Sequence, residues 1–212
     1  ASEAEKSLGI TMRGIVTCIR HFGSEKAKKA ALCAVETAGN FIRGFGMGGA
    51  ETIGKQSDYL YSFDMAREAG LSLTTHAGEW GGPDSVRQAI FDLKVERIGH
   101  GVQVIDDPTL IEELISRNVT LEVCPGSNIA LKLFPDMPAH PIARLKEMGV
   151  KVTVSTDDPP FFRTDLRKEY IELSKAFGWN KEQFEELNRT AIMAAFCDEN
   201  TKISLLNRLE AR

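Results

Sequence analysis

Short runs of apolar and β-branched residues recur along the chain at residues 10–19, 40–45, 71–75, 97–98, 119–123 and 150–155, and each reads as a strand. Between them, polar and apolar positions carry helix punctuation. Ser24 opens an Ala/Lys-rich helix that stops near Gly39, and Ser57 precedes a second helix closed by Gly70. Asp107-Pro108 pairs an N-cap with a first-turn proline, and Asn118 ends that helix. Pro141 starts another, closing at Gly149. After the sixth strand the pattern is helical: residues 164–177, 181–196 and a last helix near 203–212.

One helix between each pair of strands predicts an α/β fold, because parallel strands need long crossovers. Two architectures fit: an open doubly wound sheet, or part of a (β/α)8 barrel. Both place chemistry at the carboxyl ends of the strands. A length of 212 residues with 42% hydrophobic content predicts a single domain over residues 1–212.

Charge and cysteine usage then exclude several classes. Lys plus Arg number 26 against 30 Asp plus Glu, for a net charge of −4, which leaves no basic footprint for nucleic acid or an anionic membrane. Cys18, Cys33, Cys124 and Cys197 are far apart with no C-x-x-C, against a disulfide framework or zinc knuckle. No apolar run approaches the roughly 20 residues that span a bilayer, and no signal peptide is visible, so the expected setting is cytoplasmic. The chain begins Ala-Ser-Glu rather than with Met, which predicts a processed or incomplete chain.

The predicted strand ends carry the chemistry. They read His76-Ala-Gly-Glu79, His100-Gly101, Cys124-Pro-Gly-Ser-Asn128 and Asp157-Asp158-Pro159. Taken singly, a histidine there is a satisfied polar residue and Asp-Asp-Pro is a turn. Jointly, two imidazoles and three carboxylates converging on one mouth look like a metal-assisted acid/base site. Imidazole and carboxylate suit zinc or a similar divalent ion. Such a cation would also offset the repulsion between adjacent Asp157 and Asp158.

One rival motif is weaker. Gly44-Phe-Gly-Met-Gly-Gly49 matches G-x-G-x-x-G, yet residues 50–56 open no helix and the next strand ends in His76 rather than an acid. Ser127 and Cys124 lack a nucleophile-elbow motif.

His76-Ala-Gly-Glu79, Arg97-Ile-Gly-His-Gly101, Leu121-Glu-Val-Cys-Pro-Gly-Ser-Asn128, His140-Pro141 and Ser155-Thr-Asp-Asp-Pro159 together resemble, in order, the adenosine/adenine deaminase family of metal-dependent amidohydrolases. The resemblance implies a (β/α)8 TIM-type barrel holding one Zn2+, here strands three to eight plus C-terminal helices. It implies hydrolytic deamination by a metal-activated water, with a purine nucleoside or base as substrate. Adenosine is the first expectation; adenine, a modified adenosine or a non-catalytic fragment are the alternatives. Carried over, His76 and Asp157 are metal ligands and Glu79 protonates the purine N1. His100 orients and helps deprotonate the water. Asp158 meets purine N7, and the Gly49 N–H meets N3. The family's first strand carries an H-x-H pair that this chain lacks, so the expectation is a separate or absent N-terminal segment completing the barrel. Gly46 and Ala50 stand where the family commonly has acids. His21 is expected to be structural, and His140 to begin a helix without a catalytic role.

Overall fold

The computed structural model describes residues 2–211; the predicted helix near 203–212 therefore ends, at Arg212, outside the described residues. A short helix α1 (Ser2–Leu8) leads into β1 (Gly14–Ile19), α2 (Ser24–Glu36), β2 (Ile42–Gly48), α3 (Leu60–Glu68) and β3 (Ser72–Ala77). There follow α4 (Gly82–Phe91), β4 (Arg97–His100), α5 (Pro108–Ser116), β5 (Thr120–Val123), α6 (Pro125–Ala130), α7 (Ile142–Glu147) and β6 (Lys151–Val154). The carboxyl-terminal part is helical: α8 (Pro159–Phe162), α9 (Leu166–Phe177), α10 (Lys181–Ala194) and α11 (Glu199–Glu210).

All neighbouring strands pair in parallel, and their order in the sheet is β1 to β6 without reversal. That order decides between the two architectures. A doubly wound sheet reverses its strand order to cover both faces. Right-handed crossovers that always step the same way put every helix on one face, which is the arc of a (β/α)8-type barrel. The chain thus contributes six consecutive barrel strands, and β1 and β6 are the two edges among the described residues.

The helices are held by their apolar stripes. In α2, Ala27, Ala31 and Ala34 are buried while Glu25, Lys26, Lys29 and Glu36 are exposed. In α5, Leu110, Ile111 and Leu114 are buried, each worth about 1.5–3 kcal/mol relative to exposure. Its predicted cap is realised: the Asp107 carboxylate accepts the Leu110 N–H at 3.0 Å, ahead of Pro108. In β3, Leu73, Thr75 and Ala77 point at the helices, while Ser72, Thr74 and His76 alternate onto the opposite, inner face.

The inner face carries a polar layer. The Thr74 hydroxyl donates to Glu122 at 2.8 Å, and Arg97 Nε lies 2.7 Å from the other Glu122 oxygen. The Arg97 guanidinium also sits 3.5 Å from the ring centroid of Phe196, in the segment after α10. Above this layer, the carboxyl ends of β2 to β6 bring the predicted site residues to one mouth. Among the described residues, no helix is long and apolar enough to cross a membrane.

Candidate active site

His76 lies within β3, one residue before its end, rather than on the loop beyond it; Glu79 follows on that loop. The ring of His76 rests on β4, where a Cβ added to Gly99 would stand 2.6 Å from its Cδ2. Only glycine at that position lets the imidazole lie flat on the neighbouring strand. The main chain at His76 is clamped as well: its carbonyl accepts from Arg20 Nη2 at 3.2 Å and from Gln56 Nε2 at 3.1 Å. Gln56 is itself held by the Thr75 hydroxyl, and Arg20 by Tyr59, whose hydroxyl donates to the Arg20 carbonyl at 2.7 Å.

Glu51 organises the loop that carries Glu79. Its carboxylate accepts three successive backbone N–H groups, from Gly78 at 2.5 Å, Glu79 at 2.9 Å and Trp80 at 2.7 Å. Burial pushes the Glu51 carboxyl up, but bonds from Ser85 and from this run of N–H groups outweigh it and hold the group below its ordinary range. A fixed anion therefore sits under the loop.

Glu79 is in the opposite situation. It is 8% exposed, and its Oε1 is buried with no hydrogen-bond partner. Burial, with help from the Asp157 and Glu51 charges, raises its carboxyl to about 7. Two carboxyl groups on neighbouring segments are thus driven apart, one kept ionised and one inclined to hold its proton.

His100 ends β4 at φ +65°, and Asp157 follows β6 at φ +59°. Left-handed backbone at non-glycine residues is uncommon and concentrates where a site dictates it. His100 Nε2 stands 3.6 Å from Glu79 Oε2 and 3.9 Å from Asp157 Oδ2. Its ring meets that of His76 edge-on, 4.8 Å between centroids. Burial first, then the His76 charge, lower His100 to about 3, so the ring is neutral. Asp157 Oδ2 accepts from the Ser127 hydroxyl at 2.7 Å. Asp158 is exposed; it stands at the N-cap position of α8, a single helical turn built on Pro159 and Pro160, without a side-chain capping bond.

Gly49 also lies at this mouth, exposed and at φ +89°, which favours glycine; an added Cβ would stand 3.0 Å from His21 Nδ1. His21 is exposed and stacks edge-on against Phe22. The G-x-G-x-x-G run is mostly strand: Gly44, Gly46 and Gly48 lie in β2, and no helix begins at Gly49.

Sequence reasoning passed over Glu51, Arg20, Gln56, Ser127, Asn128 and His140. His140 stands at the start of α7, ahead of Pro141, where its ring accepts the Ile142 N–H at 3.1 Å; it is 2% exposed and also contacts Asn128, which in turn contacts His100. Its being one of four histidines, beside a quoted motif containing Asn128, was the available signal.

The donor set fits a divalent metal by kind. Ligand atoms of His76, Glu79 and His100 lie within 4.8 Å of one another, as do those of His100, Cys124 and Asp157. The unpartnered Oε1 of Glu79 faces a site that offers it no donor from the protein. Cys124 adds a buried thiol that burial pushes well above its ordinary range.

Comparison with known proteins gives the chain's relatives. A family model described as adenosine deaminase matches residues 1–212. An adenine deaminase of Rhizobium rhizogenes is 50% identical over 206 residues, 97% of this chain and 64% of the relative. One from Rhizobium etli is 48% identical, with 97% and 64% covered. The crystal structure of an adenine deaminase from Arthrobacter aurescens matches with a TM-score of 0.93 at 27% identity, over 99% of this chain and 64% of that one. An amidohydrolase from Burkhoderia ambifaria with bound Zn matches at 0.87 and 26% identity, over 100% and 62%. The chain spans about 64% of the length of the curated relatives it matches.

Proposed function

Because the chain belongs to the adenosine deaminase family, by a match over residues 1–212, we propose that the full-length protein hydrolytically deaminates an adenine-type purine. The observation that carries the proposal is Glu79: a buried carboxyl raised to about 7, with one oxygen unpartnered, between His100 and the Asp157 charge. A carboxylic acid that keeps its proton near neutral pH can give it to a ring nitrogen. Delivered to purine N1, that proton draws electrons from C6 and makes it open to attack by water. The C6–O bond forms as water gives up its two protons, one to the exocyclic nitrogen and one that restores the Glu79 acid. The C6–N bond then breaks with its electron pair on nitrogen, and the amine leaves as ammonia.

His76 and Asp157 are the residues that would hold a divalent metal ion, zinc in our reading, with an N/O donor set that suits it. Such an ion, when bound, supplies Lewis acidity that makes water a better nucleophile at neutral pH. The relative with bound Zn supports that choice. His100 Nε2, 3.6 Å and 3.9 Å from the Glu79 and Asp157 carboxylates, orients the water between them. Ser127, donating to Asp157 Oδ2, holds that carboxylate in place.

Asp158 and the Gly49 N–H are the proposed substrate contacts, at purine N7 and N3. In its ionised form a carboxylate only accepts hydrogen bonds. Free adenine can carry its imidazole proton on N9 or on N7, and the N7–H tautomer offers this carboxylate a donor; N7 of adenosine carries no hydrogen. Together with adenine deaminase relatives at 50% and 48% identity, this makes the free base our preferred substrate. Adenosine, the substrate named by the family model, is the second reading.

Ammonia release from adenine, adenosine and an N6-substituted adenine nucleotide, measured with the full-length protein, tests the proposal. Adenine is expected to turn over fastest. Faster turnover of adenosine would establish the second reading, and no release from any purine would refute both.

A further inference from the structure

His140 and Asn128 lie behind His100, away from any substrate contact, and a chain of hydrogen bonds joins all three. Its direction is set by its starting point, a backbone N–H, which can only donate. Ile142 N–H donates to His140 Nδ1 at 3.1 Å. A neutral His140 must then carry its proton on Nε2, which lies 3.1 Å from Asn128 Oδ1. The amide oxygen accepts there, so its NH2 end faces His100 Nδ1 at 3.3 Å. The reversed amide would set its NH2 against the N–H of His140, donor to donor.

Solvent offers no escape from this order. His100, Asn128 and His140 are 1%, 0% and 2% exposed. Each ring accepts a hydrogen bond at Nδ1, from the Ile142 N–H and from the Asn128 amide, which a protonated imidazole cannot do, so both rings are neutral. His140 is also pinned edge-on by Phe134, 5.0 Å between centroids. Asn128 sits on α6, whose start is anchored by the Gly126 N–H donating to buried Glu169 at 2.9 Å.

We propose that the chain from Ile142 through His140 and Asn128 is a tautomer relay that places the proton of neutral His100 on Nε2, turning a hydrogen-bond donor toward Glu79 and Asp157. Asn128 and His140 are then positioning residues: they act on the site only through His100. The chemical use of the relay rests on the deaminase reading. In that reaction His100 orients an oxygen by donating to it, and its site-facing nitrogen has no lone pair with which to take a proton from water. This differs from the role the family resemblance implied for His100.

The test is the imidazole 15N–1H long-range spectrum of the full-length protein, which tells Nε2–H from Nδ1–H rings. Both His100 and His140 are expected as Nε2–H, and Nδ1–H at either would overturn the relay. A second spectrum, of folded His140→Leu, asks whether the anchor matters. Asn128 is then free to turn, and His100 should lose its hydrogen-bonded Nδ1 shift or show two tautomers in exchange. Unchanged His100 signals in that variant would also overturn the proposal; if the variant does not fold, the wild-type spectrum decides. These spectra do not depend on turnover, so failure of the relay and failure of the deaminase reading are distinguished.

Discussion

Replacing Glu79 by glutamine should stabilise the protein at alkaline pH. Glu79 is raised from 4.5 to about 7 in the folded chain, chiefly by burial. Between those two values the folded state keeps a proton that the unfolded state releases, so stability falls as pH rises through this window. A rise from 4.5 to about 7 is worth about 2–3 kcal/mol after a discount for the part of the site open to solvent. Glutamine keeps the shape and stays neutral, so Glu79→Gln should lack this loss. Urea unfolding at about pH 4 and pH 8.5, with a chelator present so that only the chain's own groups contribute, measures it. The variant should match wild type at the acid end and exceed it by about 2–3 kcal/mol at the alkaline end. Parallel pH profiles for the two proteins would refute the claim that Glu79 is held neutral by its surroundings.

Three other perturbations probe the scaffold. Glu51→Gln replaces a carboxylate that accepts three backbone N–H groups, leaving at least one of them facing an NH2. A loss of about 2–4 kcal/mol in urea unfolding is expected, and a loss under about 0.5 kcal/mol would contradict the loop-anchoring role. Gly99→Ala puts a methyl group 2.6 Å from the His76 ring and should cost about 1–3 kcal/mol while weakening zinc binding in calorimetry; unchanged affinity would show that the ring is free to shift. His100 and His140 are both lowered to about 3, so the unfolded chain binds their protons first and stability falls as pH drops below about 6.5. His140→Leu should flatten that acid limb by about one proton in a pH series of unfolding free energies; an unaltered slope would argue against a buried neutral ring.

Much of the fold was legible because the periodicity of a half-buried strand and the Asp107-Pro108 cap are local signals. The strand ends were less so. β2 was expected to stop at Phe45, but it continues through Gly48, because glycine has poor strand propensity and reads as loop. What keeps those glycines in the sheet is tertiary: added Cβ atoms at Gly44 and Gly46 would crowd Phe196, Ile15 and Thr74. The helices α1 and α4 carry weaker signals, and neither was placed from sequence.

The candidate site divides in the same way. His76, Glu79, His100, Asp157, Asp158 and Gly49 could be named because they stand at strand ends, and the structure gathers these ends at one mouth. Glu51 and His140 could not, since their importance lies in partners far along the chain: Gly78–Trp80 for one, Asn128 and His100 for the other. A buried carboxylate under a loop and a buried histidine behind a strand look, in sequence, like any polar residue near a turn.

The central claim is that Glu79 gives its proton to a purine beside a metal held by His76 and Asp157. The most direct measurement is the ultraviolet absorbance change of adenine with full-length wild type and Glu79→Gln, alongside the metal content of each. We expect both proteins to carry equal metal, with turnover in the variant reduced by about 10²–10⁴-fold or more, the range of a lost general acid. Equal metal with near-wild-type turnover in Glu79→Gln would contradict the account.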